Sequence, residues 1–423
     1  MDPSPTPKVE PKGSSHATEP SERSSSSPVR PPRRTQVAFL CAILWGFFAL
    51  LATIRVPIGA LWLPTVASSA WGHVWTILGG AGAMLAVVAW QWQRPISRLG
   101  VATVLLLCGA ALAAAAPLTR QRLAAGDLPS RLTETFGGKP PREAAGAPPR
   151  RSLIAPGAWF GSPAPEVHVE TLEYARRGEL PLLLDLYQRP ATQVPRPLVV
   201  MVHGGSWQRG SRSDYPELNE YLAARGYAVA DIDYGVAPAA LFPAPIEDLH
   251  DALTFLVERA EVLGLDPQRI AVIGRSAGGH IALTAAYTSP VPVRGVVAFY
   301  APTDMKWSWE QSTDLTYMDG KQLVEIFMGG PPSSDPELFR AASPLFLATE
   351  TSPATLLFHG ARDRLVAPEQ STRLARRLDE LGVANLHFEL PGATHGFDCA
   401  FTGPGAQIST FAIERFLGSV LGE

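Results

Sequence analysis

Cysteine is scarce in this chain, which has only three among 423 residues, namely Cys41, Cys108 and Cys399. The first two lie in long apolar segments, so Cys399 is alone in the C-terminal region and cannot belong to a disulfide framework there. Recognisable metal motifs are lacking too, since neither a zinc-type spacing of Cys and His nor an H-E-x-x-H motif occurs. We therefore expect chemistry that needs no metal and no organic cofactor.

An excess of charge of one sign is also lacking, because 36 basic and 39 acidic residues leave a net charge of −3. A nearly neutral chain has no bulk attraction for nucleic acid, so nucleic acid is not an expected partner. The length exceeds that of one ordinary domain, which predicts more than one region. No feature of the sequence indicates the oligomeric state.

Large apolar residues are almost absent from residues 1–34, which are rich in Pro, Ser and charge. Such a segment cannot bury enough apolar surface to offset the entropy of ordering it, so residues 1–34 are predicted to be a disordered tail. The tail ends in a basic cluster formed by Arg30, Arg33 and Arg34.

Charged residues are then missing from long apolar runs within residues 35–118. Runs of this length are typical of transmembrane helices, and this region is predicted to be a membrane domain with about three of them. Buried helices of a soluble protein and a cleaved signal peptide are the alternatives, but three such runs in succession, the first starting late, favour membrane spans. The predicted spans are Thr35–Ile54, about Gly72–Trp90, and about Leu99–Leu118.

Positive charge beside the predicted spans favours a cytoplasmic N-terminus by five residues to four. Three spans then place the C-terminal region outside the cytoplasm, as the extracytoplasmic part of a protein in a bacterial-type plasma membrane. An additional spanning element within residues 56–70 would reverse this orientation. The cytoplasmic set is Arg30, Arg33, Arg34, Arg94 and Arg98, and the opposite set is Arg55, Arg120, Arg122 and Arg131.

Residues 119–165 are rich in Pro, Gly, Ala and Arg without sustained periodicity, which predicts a linker with at most a short surface helix. In residues 166–423, short apolar runs alternate from the third run onward with segments of helical periodicity. This pattern predicts an α/β fold in which helices cover a mostly parallel, eight-stranded sheet. The predicted strands are Val167–Tyr174, Leu180–Tyr187, Leu198–Val202, Ala228–Asp233, Ile270–Gly274, Gly295–Tyr300, Thr355–His359 and Leu386–Leu390.

Active sites of such sheets lie beyond the carboxyl ends of the strands, so residues that follow a strand are the first candidates. The sequence G-R-S-A-G-G-H at 274–280 lies between a predicted strand and a helical pattern. A tight strand-to-helix turn of this kind exposes a serine hydroxyl at a helix N-terminus, where negative charge is favoured. We therefore predict Ser276 as a nucleophile. An ordinary glycine-rich turn without chemistry is the alternative.

Three further stretches follow predicted strands. His203-Gly204-Gly205-Ser206-Trp207 can turn backbone N–H groups toward a carbonyl oxygen. Asp363 could hold an imidazole, although it could equally be a turn residue paired with a neighbouring arginine, and His395 could act as a general base. The order Ser276, Asp363, His395, with each residue behind its own strand, is the chain order of the α/β-hydrolase triad.

The region from about residue 165 to the C-terminus resembles the esterase/lipase group of α/β-hydrolases with an HGG oxyanion loop, especially its BD-FAE and hormone-sensitive-lipase-like branches. The motifs that carry this resemblance are H-G-G-S-W at 203–207, A-R-G-Y-A-V at 224–229, F-P-A-P-I-E-D at 242–248, D-P-Q-R-I at 266–270 and the G-R-S-A-G-G-H turn.

The resemblance implies that Ser276 is the nucleophile, His395 the base and Asp363 the orienting acid. It also implies an oxyanion hole formed by the backbone of Gly204, Gly205 and Ala277.

Two positions depart from the family pattern. Ser206 replaces the third glycine of the lipase HGGG motif, and Arg275 stands before the nucleophile, where many relatives have an acidic residue. We expect Arg275 either to face solvent or to pair with an acid such as Asp248. Both departures bear on the subfamily, and therefore on the substrate.

These features predict a membrane-anchored serine hydrolase that cleaves carboxylic esters through an acyl-enzyme, with a small-molecule ester and the lipid bilayer as partners. The alternatives are an amide or formamide hydrolase, a peptidase with the same triad, and a non-catalytic, membrane-anchored interaction protein. Trp207 and Tyr234 are candidate pocket residues. The aromatic segment 304–345, with Trp307, Trp309, Tyr317 and Phe327, either forms a small lid over the acyl pocket or packs on the surface.

Overall fold

The computed structural model describes residues 33–51, 61–91, 98–138, 166–190, 194–312 and 318–422. Of the predicted disordered tail, only Arg33 and Arg34 lie within these ranges, and they begin the first helix. The predicted linker is described as far as residue 138, and the remainder of both segments lies outside the described residues.

Three of the helices that precede the sheet pack side by side. Helices α1 and α3 both contact α4, and the small residues Ala49, Ala110 and Ala114 are buried between them beside Trp45 and Trp75. Small side chains let helix backbones approach closely, which is a common basis of helix association in membranes. The helices before the sheet are α1 (Arg33–Leu51), α2 (Trp62–Ala70), α3 (Gly72–Gln91), α4 (Arg98–Ala124) and α5 (Leu128–Phe136).

The outer surface of this helical region is apolar. Leu40, Leu85, Leu105 and Leu112 are between 64% and 74% exposed. Two helical stretches, Arg33–Leu51 and Arg98–Phe136, are long and apolar enough to cross a membrane, while the apolar stretch Gly72–Val88 is shorter. Helices therefore occupy all three predicted positions. Length and composition also suit a signal sequence or a buried helix, so membrane insertion itself remains a proposal.

Helix α2 lies in the region where an additional spanning element would reverse the predicted orientation. Its nine residues extend about 14 Å, whereas the hydrocarbon core of a bilayer is about 30 Å thick. Helix α2 by itself is therefore too short to cross a membrane, and residues 52–60, which precede it and include the start of the predicted element, lie outside the described residues.

A single eight-stranded sheet forms the centre of the C-terminal region, as predicted, in the order β1-β2-β4-β3-β5-β6-β7-β8. The β2 strand pairs antiparallel with β1 and β4, and all other pairs are parallel. The strands are β1 (His168–Arg177), β2 (Leu180–Gln188), β3 (Arg196–Val202), β4 (Ala228–Ile232), β5 (Leu265–Arg275), β6 (Gly295–Phe299), β7 (Ala354–Gly360) and β8 (Asn385–Leu390).

Helices cover both faces of the sheet, which explains why its central strands are continuously apolar. In β3, Val200 and Val202 face one core, whereas Val199 and Met201 face the other. Helices α7, α9 and α14 cover the first face, and α5, α6 and α15 cover the second. The remaining helices are α6 (Pro216–Ala224), α7 (Ala244–Glu258), α8 (Ala260–Leu263), α9 (Ala277–Tyr287), α10 (Met305–Gln311), α11 (Gly320–Met328), α12 (Pro336–Ala341), α13 (Pro344–Leu347), α14 (Glu369–Glu380) and α15 (Pro404–Leu421).

Helix α5, which lies within the predicted linker, packs on the second face of the sheet. Leu128 and Leu132 are buried in that core, and the Phe136 ring lies 4.9 Å from that of Phe416 in α15. Arg131 donates a hydrogen bond to the carbonyl oxygen of His387 in β8. The chain therefore passes from α4 directly onto the sheet domain through a docked helix.

Candidate active site

Ser276 occupies a sharp turn between β5 and α9. Its φ of 54° and ψ of −120° are strained for a residue with a side chain, as is typical of a nucleophile elbow. A Cβ atom on Gly274 would lie 2.2 Å from the carbonyl oxygen of Gly278, and one on Gly278 would lie 2.1 Å from that of His203. Glycine is therefore required at both positions, at 274 because the elbow turns back on itself and at 278 because the elbow packs against the oxyanion loop.

The three predicted catalytic side chains meet at the carboxyl edge of the sheet. His395 Nε2 lies 2.9 Å from Ser276 Oγ, and His395 Nδ1 lies 2.6 Å from Asp363 Oδ2. Asp363 follows β7 and His395 follows β8, while the serine follows β5. The order of strands in the sheet thus brings together residues that are up to 119 positions apart in the chain.

Asp363 is buried and held by several donors. Its Oδ1 accepts hydrogen bonds from the backbone N–H groups of Leu365 and Val366, and its Oδ2 lies 3.4 Å from Nε2 of His359. Burial alone would raise the pKa of this carboxyl, but the charge and hydrogen bonds of His395 and His359 hold the pKa well below its ordinary value. The carboxylate therefore stays ionised and can fix the tautomer of His395.

The predicted oxyanion loop lies directly against the elbow. A Cβ atom on Gly204 would be 3.0 Å from the carbonyl oxygen of Arg275, and Gly205 has a φ of 119°. Ser206 and Trp207 also have positive φ, at 56° and 58°. Ser206, which replaces the third glycine of the family motif, therefore adopts a conformation that normally favours glycine. Ala277 begins α9, so its N–H is among the first N–H groups of a helix, which have no intrahelical acceptor.

Trp207 lines the pocket and is held in place by His280 and Phe327. Its indole N–H donates to His280 Nδ1 at 3.2 Å, and its rings stack on Phe327 at 4.7 Å. His280 Nε2 in turn bonds to the carbonyl oxygen of Ala342 at 2.7 Å, and burial lowers the pKa of this imidazole to about 4 although the hydrogen bond opposes the shift. His280 is thus a neutral link between the oxyanion loop, the elbow and the segment 304–345.

Tyr234, a predicted pocket residue, lies elsewhere. It is fully buried, its ring stacks on that of His203 at 4.2 Å, and its hydroxyl donates to the carbonyl oxygen of the same residue. Tyr234 lies near a strand end, as predicted, but it is not among the residues that line the pocket beside Ser276. Its side chain instead packs beneath the oxyanion loop, against His203.

Arg275, the unusual residue before the nucleophile, neither faces solvent nor pairs with Asp248. It is buried, its Nε donates to Asp398 Oδ2 at 2.6 Å, and its guanidinium lies 4.3 Å from the ring of Tyr215. Asp248 instead bonds to Arg177 and to the backbone N–H of Gly235. The prediction failed because the true partner lies 123 positions away, on the loop that carries His395.

A small pocket opens beside Ser276. Part of its wall comes from α10, α11 and the residues next to them, so the segment 304–345 lines the pocket. Tyr317 lies outside the described residues, while Trp309 and Trp307 lie on α10 and point to other partners, Glu325 and Arg373. The pocket is lined by Ser206, Trp207, Ser276, Ala277, Pro302, Ser308, Ser312, Gly320, Leu323, Val324, Leu365 and Val366.

Sequence reasoning did not identify three residues that support the triad, namely Asp398, Tyr300 and His359. The Tyr300 hydroxyl donates to Asp398 at 2.5 Å, and its ring centre lies 4.4 Å from that of His395. A positive φ of 39° at Tyr300 cannot be read from the sequence. The sequence offered one signal, because Asp398 lies only three residues after His395, the predicted base.

In the described part of the chain, no group of three or more His, Cys, Asp or Glu side chains could hold a metal ion.

Known proteins share this region. Residues 184–378 match the family model described as BD-FAE. The chain is 34% identical over 259 residues to esterase LipC of Mycobacterium tuberculosis, covering 56% of this chain and 62% of LipC. It is 31% identical over 232 residues to an esterase of Gibberella moniliformis, covering 50% of this chain and 71% of that protein. The chain therefore spans less than two thirds of LipC.

One solved structure with a similar fold is carboxyl esterase 2 (TmelEST2) from the mycorrhizal fungus Tuber melanosporum. It aligns with a TM-score of 0.52 at 25% sequence identity, covering 62% of this chain and 89% of that protein. Nearly all of the fungal enzyme thus corresponds to a part of this chain, and the remaining 38% or so of the chain has no counterpart in it.

Proposed function

Because this chain belongs to the BD-FAE family of α/β-hydrolase esterases, we propose that it hydrolyses carboxylic esters by acyl transfer through Ser276 to water. The observation that carries the proposal is the chain of hydrogen bonds from Ser276 through His395 to Asp363. It links a nucleophile, a base and an orienting carboxylate within hydrogen-bond reach, beside a pocket that can admit an acyl group.

In this mechanism, His395 Nε2 accepts the proton of Ser276 as the serine oxygen attacks the ester carbonyl. The oxyanion that forms accepts hydrogen bonds from the backbone N–H groups of Gly204, Gly205 and Ala277. Loss of one such donor costs roughly 2.7–4 kcal/mol of transition-state stabilisation in a serine hydrolase of a different fold. His395 then protonates the leaving alcohol, and a water molecule that it deprotonates releases the acid from the acyl-enzyme.

We further propose that α1, α3 and α4 anchor the enzyme in a membrane, with the sheet domain on the extracytoplasmic side. Three observations support this anchoring. The apolar side chains on the outside of these helices are exposed, and little of the apolar stretches in α1 and α4 is buried. Five arginines flank the spans on the side of the N-terminus, against four on the opposite side. Extraction tests this anchoring: the protein should stay in the membrane fraction in alkaline carbonate and leave it only with detergent. Reporter fusions at the two ends of the chain test the orientation.

Ester hydrolysis is tested with p-nitrophenyl esters of increasing acyl length and with matched p-nitroanilides. Wild type should cleave esters with a much higher kcat/KM than anilides, and Ser276→Ala should abolish cleavage. The exposed Ser213 provides a matched control, since Ser213→Ala should retain full activity. Comparable cleavage of the anilides would instead assign an amide hydrolase, and cleavage of neither class by folded protein would overturn the proposal.

A further inference from the structure

The loops that carry Asp363 and His395 lie against the ends of the apolar helices. Arg362, next to Asp363, donates from Nη2 to the carbonyl oxygen of Leu51 at 3.3 Å. Leu51 is the last residue of α1 within the described part of the chain. The guanidinium therefore fastens the loop of the catalytic acid to the end of α1.

The loop of His395 makes two further contacts with this helical region. A Cβ atom on Gly392 would lie 3.5 Å from Cβ of Pro117 in α4, and one on Gly396 would lie 3.9 Å from Cγ1 of Val66 in α2. The φ values of these glycines are 74° and 70°. The two turns that flank the catalytic histidine thus face two different helices of the predicted membrane domain.

All three contact points lie at one end of the helices. Ala49 of α1 and Ala114 of α4 belong to one buried cluster, and Leu51 and Pro117 lie two and three residues beyond them in their respective helices. Val66 belongs to the short helix between the end of α1 and the start of α3. The first charged residues after the apolar run of α4 are Arg120 and Arg122, both exposed, which marks this end as the level where the helix leaves the hydrocarbon.

The pocket belongs to the same side of the molecule. Leu365 and Val366, which line it, lie on the loop of Arg362 and follow Asp363 by two and three residues. One short loop therefore contacts a membrane helix, holds the catalytic acid and forms part of the pocket wall. The docked helix α5, which joins α4 to β8 and α15, keeps the sheet domain from rotating away from this position.

We propose that the active site works at the bilayer surface and takes its substrate from the membrane, as an amphiphilic carboxylic ester whose long acyl chain lies in the lipid. This inference rests on the proposed ester hydrolysis and deepens it by naming the substrate class. The ester carbonyl of such a lipid lies at the boundary between hydrocarbon and headgroups, which is the level of the loops of Asp363 and His395. A long-chain substrate then reaches the serine without leaving the bilayer for water.

The test uses the full-length protein reconstituted in vesicles of ether-linked phosphatidylcholine, which has no ester to cleave. Two substrates are compared: p-nitrophenyl butyrate in the aqueous phase, and p-nitrophenyl palmitate incorporated in the same vesicles. For wild type we expect kcat/KM to be at least tenfold higher for the palmitate than for the butyrate, when the palmitate concentration is expressed per volume of bilayer. Arg362→Ala and Val66→Glu should lower palmitate hydrolysis at least fivefold while butyrate hydrolysis changes less than twofold.

The matched control is Arg259→Ala, which removes an exposed arginine that stacks on Phe255 and lies between α7 and α8, outside the loops of Asp363 and His395. It should change neither rate, and normal butyrate hydrolysis shows that each variant is folded. Butyrate hydrolysis with no preference for palmitate, or equal palmitate rates for Arg362→Ala and wild type, would overturn the inference but leave ester hydrolysis intact. Hydrolysis of neither substrate by wild type would instead refute the proposed function.

Discussion

Arg275 and Asp398 form a buried ion pair that joins the nucleophile elbow to the loop of the catalytic histidine. The guanidinium Nε and the carboxylate Oδ2 are 2.6 Å apart, and both side chains are at most 6% exposed. Arg275 directly precedes Ser276, and Asp398 follows His395 by three residues. The carboxylate also accepts the Tyr300 hydroxyl, whose ring lies against His395. The pair therefore sets the distance between the serine and its base.

We expect Asp398→Asn to lower kcat about 10- to 100-fold while KM for a short ester changes little, because a shift of about 1 Å at the base has an effect of this size. It should also destabilise the fold by about 3–5 kcal/mol, since it leaves the charge of Arg275 buried without its partner. The measurement is kcat per active site, counted by titration, together with chemical denaturation.

A second buried ion pair provides the control for this prediction. Arg225 and Glu414 are 2.6 Å apart and 3% exposed, and they link α6 and α15 rather than the catalytic loops. Glu414→Gln should therefore lose stability to a similar extent without loss of kcat in the folded fraction. Equal kcat values for Asp398→Asn and Glu414→Gln would show that the Arg275–Asp398 pair has only a structural role.

Asp363→Asn should lower kcat by about four orders of magnitude with little change in overall structure. The carboxylate accepts a hydrogen bond from the Nδ1–H of His395 at 2.6 Å, and a neutral amide does not hold this proton on Nδ1 in the same way. The imidazole therefore adopts the wrong tautomer. The comparison is with Asp251→Asn, which alters a half-exposed carboxylate on α7 and should retain wild-type kcat. A loss of less than tenfold for Asp363→Asn would contradict the role of this residue.

The pKa of Asp363 also predicts how stability depends on pH. This pKa is lower in the folded protein than the ordinary value of 3.8, so the stabilisation is complete above that value and is lost as pH falls toward the folded pKa. Below about pH 4 the unfolded chain takes up a proton that the folded protein does not, which lowers the free energy of unfolding by up to roughly 1.4 kcal/mol per pH unit. The free energy of unfolding, measured by denaturation at pH 5 and at pH 3, should fall less between these two pH values for Asp363→Asn than for wild type or Asp251→Asn. An identical fall in all three proteins would refute the lowered pKa of Asp363.

Leu323 offers a test of the pocket. It lies on α11 and lines the pocket beside Ser276, so Leu323→Trp should fill part of that pocket. We expect kcat/KM for p-nitrophenyl octanoate to fall at least tenfold, while that for the acetate stays within threefold. Val262→Trp, at a position that is 89% exposed on α8, controls for the added indole. A uniform loss for both esters would place the acyl group elsewhere.

The eight strands and the order of Ser276, Asp363 and His395 could be predicted from the sequence because both depend on local patterns. Short apolar runs define the strands, and the carboxyl ends of parallel strands meet at one edge of the sheet, so residues that follow strands come together. The elbow has a partly local signature, because a Cβ atom on Gly274 would meet the backbone of Gly278 only four residues away, whereas Gly278 is restricted by the distant His203.

The Arg275–Asp398 pair could not be predicted, since any of the 39 acidic residues could in principle pair with a buried arginine. The direction of Tyr234 depends on how His203 packs, which no periodicity encodes. The docking of α5 was also missed, because a helix of nine residues between stretches rich in Pro, Gly and Ala resembles part of a linker, although Leu128, Leu132 and Phe136 recur at helical spacing. In each case the decisive contact joins distant segments, and only the folded arrangement of the sheet brings these segments together.

The most direct test of the account is covalent labelling of the full-length protein with a fluorophosphonate, followed by mass spectrometry of its peptides. The probe reacts with a serine only where a base activates it, as His395 does at 2.9 Å from Ser276 in the structure. We predict one added phosphonyl group, located on Ser276, and loss of labelling in Ser276→Ala and in His395→Ala. Absence of labelling in folded wild-type protein, or equal labelling of Ser276→Ala, would contradict the account.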